Sequence, residues 1–194
     1  MKRFHLILLI FLMFMGGCAQ KIPTQSAASR NWKGELNQLS HWQLKGKVAF
    51  LTEKKKQSAN LNWQFDHPHH KIKLTSFIGT QILSLEENDN GVVIDMGDER
   101  FAGFQTDVLL QQLTGFLLPV DQAHLWLTAQ MPLRDAMFDE QSRLKSGDWY
   151  DTTGNQWHIV YDKYQMTNGL WLPSRLSLKT EQITIKLQIN EWTL

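Results

Sequence analysis

Residues 67 to 70 read His-Pro-His-His, which brings three imidazoles, His67, His69 and His70, within four positions of the chain. A stable metal site needs a further donor at ligand spacing. Asp66 is the one neighbouring carboxylate, and no cysteine lies nearby. A solvated turn is the expected reading, and no metal is expected. The chain has one cysteine, Cys18, so a disulfide framework within the chain is excluded, and lipid modification of Cys18 would leave no thiol for a nucleophile. It carries no G-x-S-x-G elbow, no H-E-x-x-H pair and no Gly-rich phosphate loop followed by Lys and Ser/Thr. Glu86, Glu87, Asp95 and Asp98 are scattered carboxylates that spacing alone does not bring together. Neither catalysis nor a cofactor, ATP included, is expected.

Cys18 has a different context. Lys2 and Arg3 precede an apolar run from Leu6 to Met15, and then come Gly16, Gly17 and Cys18. A charged start and a short apolar run make a secretory signal, too short for a bilayer core, which needs about 20 residues. Small residues before the cysteine resemble a lipoprotein signal-peptidase site. Removal of residues 1–17 and lipidation of Cys18 are therefore expected. Residues 18–30, rich in Gln, Ser, Thr, Ala and Pro, read as a flexible tether, and 31–194 as one folded domain. With 20 Lys+Arg against 19 Asp+Glu, the charge gives no reason to invoke nucleic acid.

The elements of the domain follow from periodicity. Trp32, Leu36 and Leu39 recur at helical spacing. Trp42, Leu44, Val48 and Phe50 alternate with Gln43, Lys45 and Lys47, as do Ala59, Leu61, Trp63 and Phe65 with their polar neighbours. Ile72 and Leu74 alternate with Lys71 and Lys73, and Ile183, Ile185, Leu187 and Ile189 with Thr184, Lys186 and Gln188. Such alternation means strands with one buried face. Between them, Thr106 as N-cap and Gly115 as stop bound a helix with Val108, Leu109 and Leu113 on one stripe, and Pro119 and Asp121 introduce a second short helix holding Leu125 and Trp126. Hairpin-length connections imply a largely antiparallel, strongly curved sheet, its apolar concave face partly covered by these helices. The eight tryptophans suit either a wide apolar interior or a crowded core.

Residues 74–81, "LTSFIGTQ", place Phe77 and Ile78 at the tip of a turn where Asp, Asn or Gly is usual. Burying one such side chain contributes about 1.5–3 kcal/mol. A projecting pair suits weak, reversible contact with a membrane; a pair folded back onto the core would read the same way.

The order of signal, "MGGC", "WQLKGKVAF", "LTSFIGT", "LLQQLTGFLLP", "HLWL", "WHIVYDKY" and "IKLQINEW" resembles the LolB family along nearly the whole chain. The resemblance implies a mainly β fold with a few helices: an incomplete, highly curved antiparallel β-barrel closed by helices around a hydrophobic cavity for acyl chains. It implies functional tryptophans at Trp63, Trp126, Trp157 and Trp192, and, with the apolar faces above, a cavity that also includes Trp42, Leu44, Leu61, Leu109, Leu113 and Ile185. It places a membrane-insertion loop at Phe77, Ile78 and Gly79, departing from the family at Phe77, where a proline would stand. The partners it implies are the periplasmic carrier LolA, acylated lipoprotein cargo and outer-membrane lipids, with the protein a monomer lipid-anchored on the periplasmic face of the outer membrane. The competing expectation is a lipid-anchored structural or assembly-factor module whose hollow is filled.

Overall fold

The computed structural model describes residues 32–194, so Cys18 and the proposed tether lie outside the described residues. Helix α1 (Trp32–Leu36) leads into strands β1 (His41–Leu51), β2 (Lys56–Asp66), β3 (His69–Thr75), β4 (Gln81–Asn88), β5 (Gly91–Met96) and β6 (Glu99–Gly103). Helices α2 (Thr106–Thr114) and α3 (Ala123–Leu127) follow, and then β7 (Arg134–Phe138), β8 (Leu144–Tyr150), β9 (Gln156–Thr167), β10 (Leu170–Lys179) and β11 (Thr184–Thr193). All eleven strands form one antiparallel sheet in the order β6-β5-β4-β3-β2-β1-β11-β10-β9-β8-β7. β6 and β7 remain edges, so the barrel is not closed, in agreement with the sequence expectation.

Alternation decides which face is inward. On β1, Trp42, Leu44 and Val48 are buried; on β2, Leu61, Trp63 and Phe65; on β11, Ile185, Leu187 and Ile189. Lys45 and Lys71 lie on the wet face, in exposed pairs with Glu191 (3.4 Å) and Glu86 (3.3 Å), which contribute little to stability. The β1–β11 register slips between Lys45 and Gly46, leaving Asn190 as an extra residue. This bulge returns Trp192 to the inner face although it is out of phase with Ile189.

Gly46 makes the bend feasible. A Cβ built on it would lie 2.1 Å from the carbonyl oxygen of Gln188, far inside van der Waals contact. Gly46→Ala is expected to lower unfolding stability by about 2–3 kcal/mol, read as an earlier urea midpoint. A change within about 0.5 kcal/mol, the usual surface range, would contradict this account of the bulge.

Two helical expectations are corrected. The N-cap of α2 is Gln105, with no side-chain capping bond, while Gly115 ends the helix as expected. The Thr106 hydroxyl instead donates to the Glu87 carboxylate on β4, an acceptor from elsewhere in the fold. The buried residues of α2 are Thr106, Leu109 and Leu110, and Val108 is 43% exposed. The inward stripe is thus rotated from the one read in the sequence.

In an antiparallel meander alternate turns fall at one end of the sheet. Turns 52–55, 76–80, 97–98, 151–155 and 180–183 share that rim, and turns 67–68, 89–90, 139–143 and 168–169 lie at the other end.

Candidate functional site

The concave face is packed solid at one end and hollow at the other. At the packed end Trp42 meets Phe65 and Trp192, each with ring centroids 5.4 Å away, and Trp63 at 6.3 Å. Beyond these rings lies a pocket of about 580 Å³. Its floor is built from inward positions of adjacent strands: Val48 and Phe50, Ala59, Leu61 and Trp63, Ile72 and Leu74, Leu83 and Leu85, and Ile185 and Leu187. Its roof is Leu110 and Leu113 of α2, the connecting residues Phe116 and Leu118, and Trp126 of α3. The wall is mostly hydrocarbon; its polar residues are Thr114 of α2 and, at the outer end, Thr52, Lys55, Gln57 and Ser58. Those at the outer end belong to the 52–55 turn and the start of β2, so the mouth faces the rim carrying the 76–80 turn.

Five of the residues expected in such a cavity line this pocket: Leu61, Trp63, Leu113, Trp126 and Ile185. Trp42, Leu44, Leu109, Trp157 and Trp192 do not. Trp42 and Trp192 fill the packed end, the latter donating from Nε1 to the Pro173 carbonyl (2.9 Å). Leu44 is fully buried in the core. Leu109 sits against Gly103 of β6, and the roof position falls to Leu110, one residue along the helix. Trp157 lies outside this pocket, its Nε1 donating to Asp151 (3.1 Å).

The roof is fastened by polar contacts. Asp107 Oδ1 accepts the backbone N–H groups of Val120 (2.8 Å) and Asp121 (3.2 Å), joining the start of α2 to the approach to α3. Trp126 Nε1 donates to the Pro119 carbonyl (2.8 Å), and the Tyr161 hydroxyl donates to the Trp126 carbonyl (2.8 Å). At the pocket's deep end the rings of Trp63 and Trp126 meet edge to face at 5.7 Å, and Trp63 Nε1 donates to His70 Nδ1 (3.0 Å).

His70 overturns part of the solvated-turn reading. Only His67 and Pro68 form the turn; His70 is on β3, 2% exposed, with its backbone N–H donating to the Glu87 carboxylate (2.6 Å). Burial first, then the neighbouring His124 and His69, hold its pKa down at about 3, so it is neutral and orients Trp63. Among the described residues no group of three or more His, Cys, Asp or Glu side chains is arranged to hold a metal ion.

Burial, and secondly the negative Asp121, push Asp107 up to about 7 from 3.8. Between about pH 4 and 7 the native protein keeps a proton that the unfolded chain has released. This contribution to stability is full below pH 4 and lost as the pH rises through 7. His70 acts in the opposite sense: its contribution is full above 6.5 and is lost as the pH falls toward 3. Asp107→Asn, which keeps an acceptor for both N–H groups, is expected to flatten the decline in melting temperature between pH 5 and 8 while retaining the acid-side decline. A profile superimposing on that of the unaltered protein would contradict this.

The 76–80 turn projects from the rim. Ser76 N–H donates to the Thr80 carbonyl (2.8 Å), Gly79 N–H to the Ser76 carbonyl (3.0 Å), and Asn60 Nδ2 to the same carbonyl (2.9 Å). Gly79 has φ +91°, a conformation glycine adopts without strain. The side chains of Phe77 and Ile78 are 92% and 74% exposed, so neither folds back onto the core. Leu74 and Ile82, on either side of the turn, line the pocket.

Comparison with known proteins agrees with this architecture. A LolA superfamily protein from Nitrosomonas europaea superposes with a TM-score of 0.53 at 9% identity, covering 80% of this chain and 86% of that one. A DUF1329 family protein from Desulfovibrio piger gives 0.55 at 6% identity, covering 88% and 92%. The outer-membrane lipoprotein LolB of Pseudoalteromonas translucida (strain TAC 125) is 40% identical over 98% of this chain and 94% of its own length. That of Aeromonas salmonicida (strain A449) is 35% identical over 94% and 93%. The model of the family "Outer membrane lipoprotein LolB" matches residues 40–192. With that match spanning β1 to β11 and relatives of this similarity along nearly the whole chain, the protein belongs to the LolB family.

Proposed function

We propose that the protein accepts lipoproteins from the periplasmic carrier LolA by direct passage of their acyl chains into the apolar pocket, and inserts them into the inner leaflet of the outer membrane. The observation carrying this reading is the placement of an apolar pocket of about 580 Å³ beside a rim that bears exposed Phe77 and Ile78. The names of the relatives, outer-membrane lipoproteins LolB, support the compartment. Lipidation of Cys18 would hold the domain at that membrane and raise its local concentration there.

Energetics favour transfer by contact. Burying hydrocarbon is worth about 0.8 kcal/mol per methylene, so an acyl chain of about 16 carbons costs on the order of 10 kcal/mol to expose. Release into water between carrier and membrane is excluded by that magnitude. The chain carries no phosphate loop, so transfer runs downhill without ATP: the pocket holds acyl chains more tightly than the carrier and less tightly than the bilayer. A scaffold module would need no such hollow.

The test is to mix the purified protein with a carrier–lipoprotein complex and follow the cargo by co-purification. Transfer without nucleotide is the expected result. Cargo that stays with the carrier at every protein concentration would overturn the proposal.

A further inference from the structure

A second hollow, of about 760 Å³, lies on the same rim, between the turn before β9 and the turn from β10 to β11. Phe116 and Ile183 line both hollows, so these two side chains form a shared wall. The two chambers differ in chemistry. The first is walled mostly by hydrocarbon, with polar groups at its mouth; the second presents Asn155, His158, Lys179, Glu181 and Gln182. Lys179 has no ion-pair partner among the described residues.

We propose that this polar chamber is a head-group subsite: it receives the glyceryl esters and first peptide units of an acylated N-terminal cysteine while the attached tails occupy the apolar pocket. The inference rests on the acyl-pocket reading above and extends it. Tails are covalently joined to the ester and amide groups, so a bound cargo must place those groups within a few bonds of the pocket mouth. They are rich in carbonyl acceptors and are costly to bury without donors. Across Phe116 and Ile183, the ammonium of Lys179 and the amide of Gln182 add donors on the far side of the shared wall to those that Lys55 and Gln57 place at the mouth of the apolar pocket. Recognition of this kind favours acylated peptide over free hydrocarbon, because a site built for polar groups discriminates against a ligand without them.

Two probes separate the chambers: a dipalmitoyl-glyceryl-cysteinyl tetrapeptide, and 1-hexadecanol as a tail with almost no head group. Gln182→Trp fills the polar chamber from an exposed turn; hexadecanol affinity checks that the apolar pocket is intact, and a thermal melt checks the fold. Lys179→Gln removes the chamber's ammonium with little change in volume. The lipopeptide Kd is expected to rise about tenfold in Gln182→Trp and about threefold in Lys179→Gln, with hexadecanol affinity unchanged in both. Lipopeptide affinity that is unchanged, or that falls in step with hexadecanol, overturns the subsite while leaving the acyl pocket standing. Failure of the unaltered protein to bind either probe overturns the acyl-pocket reading, and the subsite with it.

Discussion

Replacing Phe77 and Ile78 together by Glu is expected to leave uptake of acylated cargo unchanged and to cut its delivery into liposomes by about tenfold or more. Each side chain is worth about 1.5–3 kcal/mol when buried, and 1.4 kcal/mol is a factor of ten. Both are mostly exposed at the tip of a turn whose shape is set by backbone bonds within 76–80 and by Asn60. The substitution therefore removes membrane contact without opening the core, and the melting temperature is expected to hold. The readout is cargo recovered in floated liposomes against cargo retained on the protein. Delivery equal to that of the unaltered protein would refute a membrane role for this turn.

The second large effect concerns the pocket. Ala59 is a small inward residue of β2 opposite Val48, on the pocket wall. Ala59→Phe adds a ring to empty apolar space, so acyl affinity is expected to fall by about tenfold or more while stability is kept or raised, as cavity filling usually does. That pairing of signs separates a working hollow from a core defect. If the ring had no space, overpacking would lower stability by about 1–3 kcal/mol. Isothermal titration with lipopeptide, together with a urea curve, reads both quantities. Undiminished affinity would place the acyl chains elsewhere.

Much of this arrangement was legible before the fold was known. Strict alternation in β2 and β11 marks Leu61, Trp63 and Ile185 as inward, and these residues do line the pocket. Alternation does not say which inward residues are covered by another ring and which are left facing space. Trp42 and Trp192 are buried against each other, a meeting across β1 and β11 that depends on the bulge at Asn190. On α2 a one-residue error in phase was enough to favour Leu109 over Leu110, because a helix turns about 100° per residue. The roof residues Phe116 and Leu118 lie in a segment without periodicity, which carries no facing signal. His70 was readable: the alternation that turns Ile72 and Leu74 inward, extended two residues upstream, turns His70 inward as well. The Pro and three His residues read as a turn obscured it.

The central claim is that fatty tails occupy the hollow under α2 and α3. Trp63 and Trp126 stand together in its wall, 5.7 Å apart, within contact range of anything bound there. Titrating the protein with a lipopeptide brominated along its acyl chains tests the claim directly, because bromine quenches indole fluorescence at contact. Saturable quenching whose midpoint Ala59→Phe moves to about tenfold or more higher lipopeptide concentration is the predicted result. Binding of the same lipopeptide with no quenching, or with quenching whose midpoint Ala59→Phe leaves unmoved, would contradict it.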